Sequence, residues 1–315
     1  MDRILCVVGP TASGKTALAV RLAQLYGGEI VSADSMQIYR GMDIGTAKPD
    51  IEERGGVPHH MLDIADPSES YSAARYAREA GDCVREILAR GRLPIVAGGT
   101  GLYLNALLGR ISFDEEPADT GVRERLAKEA ETLGADALHE RLARKDPAYA
   151  AGVHPNNLRR VIRALEIMET EGITVTERLR RAQARPRTFD AVLLGLKPEP
   201  REFLRRRIDA RVDDMLRRGL LEEAKRLHAQ PLSPTARQAI GYKEIFAYLD
   251  GERTLEEAAG EIRVHTRQYA KRQMTWFGSD PDIRWIAYTE DVKFSLILQK
   301  AQDICKTCGI MEITP

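Results

Sequence analysis

The stretch Arg3-Ile4-Leu5-Cys6-Val7-Val8-Gly9-Pro10-Thr11-Ala12-Ser13-Gly14-Lys15-Thr16 decides the fold. Its first six residues are an apolar run that suits a strand buried on both faces. The next eight fit G-x-x-x-x-G-K-[ST], and Ala17 to Tyr26 continues in a helical pattern. Strand, glycine loop and helix in that order mark a phosphate-binding loop. Gly9 and Gly14 let the backbone bend so that successive N–H groups face an anion, and the helix dipole adds favourable potential there. The Lys15 ammonium is expected at the terminal phosphate and the Thr16 hydroxyl on a Mg²⁺ ion. The motif does not say whose phosphates are held.

Working outward, Glu29-Ile30-Val31-Ser32-Ala33 reads as a second buried strand ending at Asp34-Ser35. Leu93-Pro94-Ile95-Val96-Ala97 reads as a third, ending at Gly98-Gly99-Thr100-Gly101, and the spacing of Tyr71 to Arg90 suits a helix between them. This alternation predicts a parallel sheet with covering helices, whose ligands gather at the carboxyl ends of the strands. The three loops should therefore converge. Asp34, nineteen residues after Lys15, suits a base acting on an acceptor beside the bound phosphate. A cap on the next segment, or a ligand to a Mg²⁺-bound water, accounts for it equally well. A motor-type NTPase needs a strand ending in Asp or Asp-Glu; here the Leu93 strand runs into Gly-Gly-Thr and the Val192 strand into Gly-Leu-Lys.

After Leu108 the character changes. Asp114-Glu115-Glu116-Pro117 opens a charged, mostly helical stretch to about Pro186, broken at Asp146-Pro147, His154-Pro155 and Glu171-Gly172. Ala191 to Leu196 reads as a strand again, with helices following to about Phe277. The expected organisation is α/β: a P-loop nucleoside-triphosphate-hydrolase-like core over 1–113 and 188–315, with a helical insertion domain over 114–187. From Asn157 to Thr188 there are eight arginines (Arg159, Arg160, Arg163, Arg178, Arg180, Arg181, Arg185, Arg187) against four glutamates. That excess suits a phosphate-backbone footprint or a plain solvated helix face. A second cluster, Arg263, His265, Arg267, Lys271 and Arg272, lies near Tyr269, Trp276 and Phe277 as candidate stacking surfaces. Arg205-Arg206-Arg207 with Arg211 suits a kinase lid on ATP or a clamp on a diphosphate leaving group.

Composition sets loose bounds. With 315 residues and 43% hydrophobic content the chain can build one large domain or two modest ones. Forty-seven basic residues balance forty-seven acidic ones, so a polyanion must be met by a local patch. Four cysteines are too few for a disulfide framework, and the single Cys305-Lys306-Thr307-Cys308 is read as structural. The first apolar run is too short for a signal peptide or membrane span. A reduced, cytoplasmic protein is expected, with no membrane or protein partner.

Longer motifs narrow the choice. The phosphate loop, and then Asp34-Ser35-Met36-Gln37-Ile38-Tyr39-Arg40-Gly41-Met42-Asp43-Ile44-Gly45-Thr46-Ala47-Lys48-Pro49, resemble the bacterial tRNA dimethylallyltransferases. Pro58-His59-His60 with Asp63, Asp66-Pro67, Tyr71-Ser72-Ala73, Gly98-Gly99-Thr100-Gly101-Leu102-Tyr103 and His154-Pro155-Asn156-Asn157 follow in order. Arg207-Ile208 with Arg211, Gly241-Tyr242-Lys243-Glu244, and Arg267-Gln268 with Lys271-Arg272-Gln273-Met274-Thr275-Trp276 complete a resemblance over roughly residues 3 to 286. Eukaryotic relatives carry a zinc finger after the catalytic part; this chain shows none, which suits the bacterial type.

The resemblance implies transfer of a dimethylallyl group from dimethylallyl diphosphate to N6 of adenosine 37 beside the tRNA anticodon, with diphosphate released and Mg²⁺ as cofactor. It implies that Gly9, Pro10, Thr11, Ala12, Ser13, Gly14, Lys15 and Thr16 hold the diphosphate. Asp34 would be the base, with Thr100 and Arg211 on the diphosphate oxygens. The anticodon stem-loop would be met by Asp34, Ser35, Met36, Gln37, Thr100, Arg123, Arg159, Arg160, Val161, Ile162, Arg163, Arg237, Gly241, Tyr242 and Lys243. Three rivals stand beside it: an ATP-dependent small-molecule kinase with Asp34 deprotonating a hydroxyl, a prenyltransferase acting on free AMP, and a non-catalytic RNA-binding switch. His59, His60 and His154 match family motifs but receive no chemical role.

Overall fold

The computed structural model describes residues 2–111, 121–184 and 187–310, so the expected opening of the insertion at Asp114 to Pro117, and Arg185, lie outside the described residues. Six parallel strands form one sheet: β1 Arg3–Val8, β2 Gly28–Ser32, β3 His59–His60, β4 Leu93–Gly98, β5 Asp190–Pro198 and β6 Ile283–Tyr288. Their order is β3-β2-β4-β1-β5-β6. β1 takes a central place because every residue from Ile4 to Val8 is apolar and buried. Its Cys6 pairs with Val96 of β4 on one side and Leu193 of β5 on the other. The order sets β2, β4 and β1 side by side, so the loops after them share one edge of the sheet.

Local chemistry fixes the covering helices. The helix Lys15–Tyr26 starts after Gly14 at φ 82° and stops at Gly27 at φ 58°, both left-handed. Ser72 Oγ accepts from Arg75 N at 3.1 Å to open the helix Ala73–Ala89. Leu18 and Leu22 pack on Leu5, Val7, Ile95 and Leu194 in the main core. Cys305, from the helix Phe294–Thr307, is buried in that same core. No helix among the described residues is long and apolar enough to cross a membrane.

Two strands differ from the sequence reading, which has helices to Phe277 and no strand beyond. β6 is an edge strand whose Arg284 and Ala287 are exposed, so it lacks the continuous apolar run of a central strand. β3 is only His59 and His60, too short to show a period.

The chain divides into two compact units, one of residues 1–107 and 189–315, the other of 108–188. The second has its own core, with Leu126, Leu138, Leu142, Val161 and Leu165 almost wholly buried. Among its described residues the regular elements are all helices: Val122–Leu133, Ala135–Lys145, Pro147–Ala150, Leu158–Glu171 and Val175–Ala184. Asp146 accepts from Tyr149 N, Thr176 N and Thr176 Oγ1, which ties two of these helices together.

Candidate active site

The phosphate loop is drawn by its own backbone. Ala12 is left-handed at φ 61°, between Gly9 and Gly14, and its methyl packs with Ile208 and Ala270. Lys15 Nζ, half-buried, donates to Pro10 O at 2.7 Å. Burial, and then the Arg211 cation, lower its pKa to about 7, against an opposing pull from the Asp34 carboxylate. Arg207 and Arg211 lie one turn apart on the helix Arg201–Arg217. Arg207 Nε donates to Ala12 O at 2.7 Å. Burial pulls the pKa of Arg211 down, and the Asp34 carboxylate pushes it back. Among the described residues, none of these three cations lies within ion-pair distance of a carboxylate. Their neighbours differ: Arg206 pairs with Glu290 and Arg205 with Glu202. Arg207, left open between two readings by the sequence, is thus on the phosphate loop, and the other two are surface ion pairs. Ser13 Oγ is buried in the same loop without a hydrogen-bond partner among the described residues.

The loops after β2 and β4 lock to each other. Thr100 Oγ1 accepts from Ser35 N at 3.0 Å, and Thr100 N donates to Ala33 O at 3.1 Å. Asp34 Oδ1 accepts from Met36 N at 2.9 Å and Gln37 N at 3.4 Å, so the capping alternative describes one oxygen of this carboxylate. Oδ2 has no donor among the described residues. The Asp34 carboxylate is near enough to Lys15 and Arg211 to favour the charged form of each, and Arg211 is near enough to Lys15 to oppose its charge. The convergence expected for the three strand ends is present. Gln273, from the helix Leu255–Gly278, completes it: Oε1 accepts from Thr11 N at 2.7 Å and Nε2 donates to Gly99 O at 3.0 Å.

The long motif from Asp34 to Pro49 is stapled from within. Gln37 Nε2 donates to Thr46 O and Ala47 O, and its Oε1 accepts from Ser32 Oγ at 3.1 Å. Lys48 Nζ is buried on Tyr39 O, Asp43 Oδ1 and Asp63 Oδ1, at 2.8, 2.6 and 2.5 Å. Glu223, 2% exposed, accepts from the N–H groups of Asp43, Ile44 and Gly45 and from Tyr242 Oη. A Cβ on Gly45 would lie 2.5 Å from the Tyr242 ring, so only glycine fits. The segment Arg237 to Lys243 is therefore seated against this motif.

A family model described as IPP transferase matches residues 37–280, and one described as isopentenyl transferase matches residues 2–69. A tRNA dimethylallyltransferase of Bacillus subtilis strain 168 is 48% identical over 311 residues, 98% of either chain. The crystal structure of a tRNA isopentenylpyrophosphate transferase from Bacillus halodurans superposes with a TM-score of 0.73 at 44% identity, covering 98% of this chain and 97% of that one. A eukaryotic dimethylallyltransferase acting on tRNA gives a TM-score of 0.81 at 32% identity, over 100% of this chain and 81% of that one. This chain belongs to the tRNA dimethylallyltransferase family. That family consists of prenyl transferases, so the kinase and non-catalytic readings are not favoured.

The remaining residues implied by the family divide into exposed and buried. Arg159 and Arg160 are exposed and unpaired among the described residues. Arg123 and Arg163 share one nearly buried carboxylate, Glu166 Oε2, at 3.0 and 2.8 Å. Val161 and Tyr242 are 0% exposed and Ile162 is 8% exposed. Their side chains fill the interior, and the exposed side chains beside Val161 and Ile162 are those of Arg159 and Arg160. Gly241 N is likewise engaged, donating to Glu244 Oε2 at 2.7 Å, whereas Arg237 is exposed over the Phe246 ring.

Several of the arginines counted in the insertion have a carboxylate beside them. Arg178 pairs with Glu171, and Arg180 and Arg181 both pair with Glu177. In the second cluster Arg263, His265 and Arg267 pair with Asp213, Glu244 and Asp209. Phe277 is 2% exposed and belongs to the interior, not to a stacking surface; Trp276 is 38% exposed. The motif histidines have structural partners: His60 Nε2 meets Glu29 Oε2 at 2.7 Å, His59 Nδ1 meets Val57 O at 2.9 Å, and His154 Nδ1 accepts from Asn156 N.

Proposed function

We propose that this chain transfers the dimethylallyl group of dimethylallyl diphosphate to N6 of adenosine 37, next to the tRNA anticodon, and releases diphosphate. The observation that carries this reading is the trio Lys15, Arg207 and Arg211, cations without a carboxylate partner among the described residues, gathered about the phosphate loop and Asp34. An allylic diphosphate ionises when charge building on the leaving group is stabilised, and loop amides, an ammonium and guanidinium groups supply that. Thr100 stands on the neighbouring strand end to meet the same oxygens. The N6 lone pair is conjugated into the adenine ring, so removal of its proton as the C–N bond forms assists attack; Asp34 Oδ2 takes that proton.

A divalent cation such as Mg²⁺ fits the donor chemistry here. The exposed Thr16 hydroxyl is a hard oxygen ligand on the first turn of its helix, and no group of three His, Cys, Asp or Glu among the described residues offers an all-protein cage. Thr16 would hold such a cation through its hydroxyl, and the cation, when bound, would supply Lewis-acid stabilisation of the leaving diphosphate. The acceptor nucleotide must leave its stack to reach Asp34, at a cost of a few kcal/mol. Arg159, Arg160 and Arg163, with Arg123, anchor the tRNA backbone, the last two oriented by Glu166. A cytoplasmic setting, where tRNA is found, goes with this reading.

The test is direct. Purified protein is incubated with Mg²⁺, radiolabelled dimethylallyl diphosphate and either unmodified tRNA or AMP. Label in tRNA at one adenosine is expected. Label in AMP alone would move the chain to free-nucleotide prenylation, and label in neither would return the kinase.

A further inference from the structure

We propose that Gln273 is a positioning residue: one side-chain amide fixes the phosphate loop against the loop that carries Thr100, and so sets the spacing of donor and acceptor. This rests on the prenyl-transfer reading above. Gln273 is 5% exposed, and both ends of its amide are engaged, with Thr11 N and with Gly99 O. Those two loops follow β1 and β4, beyond the last paired residues Val8 and Gly98, so the ladder no longer holds them together. The polarity admits one orientation, because a reversed amide would set NH₂ against N–H and oxygen against oxygen. The approach is also as close as backbone allows: a Cβ on Gly99 would lie 2.0 Å from Gln273 Nε2.

Its helix is built to deliver that contact. Tyr269 and Trp276, four residues before and three after, share its face. The Tyr269 side chain lies close enough to Thr100 and Gln273 for both to bear on its ionisation, and the Trp276 indole lies against Gly101. Ala270 packs on Ala12 and Ile208, beside the phosphate loop. One helix face thus reads both loops, and Gln273 is the member that touches each. Without it Thr11 N–H and Gly99 C=O lose their partner and the loops separate. A misplacement of about 1 Å between reacting groups lowers rate by about 10²-fold, while each loop keeps its own internal conformation and its own binding groups.

The experiment compares Gln273→Met and Gln273→Glu with wild type in tRNA prenylation, with active sites counted by single turnover. Gln273→Met keeps length and removes both hydrogen bonds; kcat per active site is expected to fall about 10- to 100-fold, with KM for tRNA and for dimethylallyl diphosphate within about threefold. Gln273→Glu keeps the acceptor for Thr11 N, but its carboxylate opposes Gly99 O until it is protonated. Its kcat relative to wild type should therefore rise as pH is lowered from roughly 8 to 6, whereas the Met ratio stays flat. The Glu profile keeps the test in force should the Met variant fold poorly. A Met variant within twofold of wild type per active site, with only its melting temperature lowered, would overturn the proposal, as would a flat Glu profile. Failure of the wild type itself to prenylate tRNA would strike the underlying reading instead.

Discussion

Burial and the Arg211 cation hold Lys15 near a pKa of about 7, so the ligand-free ammonium is half deprotonated at neutral pH. Because the folded value lies below the unfolded 10.5, the unfolded chain binds more protons between the two, and this group's contribution to stability rises with pH across that window. A bound diphosphate reverses the preference and favours the charged form. Diphosphate affinity is therefore expected to weaken from about pH 7 to pH 9, with proton uptake on binding that Lys15→Met abolishes; calorimetry in buffers of different ionisation enthalpy measures both. Asp34 divides its work between two oxygens. Asparagine preserves the Oδ1 cap and removes the base, so Asp34→Asn should lower kcat by about 10²- to 10⁴-fold while tRNA still binds within about threefold, checked by single turnover and filter binding. Lys15, Thr16, Asp34 and Thr100 are legible in the sequence because motif and strand-end position locate them. Arg207 is legible only as one of two alternatives and Gln273 only as a motif letter without a role, since their partners lie 195 and 262 residues away and a polar residue in a helix carries no signal of what it meets.

At the scale of elements, the helices Leu158–Glu171 and Val175–Ala184 show why counting charge misleads. Of the arginines between Asn157 and Thr188, Arg163, Arg178, Arg180 and Arg181 have glutamate partners, which a sequence tally cannot see. Arg159→Ala or Arg160→Ala should weaken tRNA binding and reduce its salt slope by about one each. Arg180→Ala or Arg181→Ala should change the slope less, because Glu177 already offsets them; titrations at several salt concentrations separate the two classes. Glu223 anchors three consecutive N–H groups and the Tyr242 hydroxyl. Glu223→Ala orphans all of them and is expected to cost about 3–5 kcal/mol of stability, read by denaturant titration. The strands were unequally legible for a plain reason: β1, β2, β4 and β5 are apolar runs shielded on both faces, whereas β6 borders water and β3 is two residues long.

For the whole molecule, two separate cores imply two melting events. Diphosphate should raise only the transition of the unit that holds the phosphate loop, by about 2.7 kcal/mol at a hundredfold excess over Kd, and scanning calorimetry resolves it. The order of the sheet also bears on how the chain is made. β1 lies between β4 and β5, yet β5 begins at Asp190. A ribosome adding about 5–20 residues per second delivers β5 roughly 10–40 s after β1. Through that interval β1 is an open edge with unpaired backbone groups, a template for neighbouring nascent chains. The helical unit, contiguous from 108 to 188, emerges whole within that wait. The order of birth thus runs opposite to the order of the sequence: the inserted piece is complete before the sheet that surrounds it in the chain, and the phosphate loop, synthesised first, is among the last parts to be fixed.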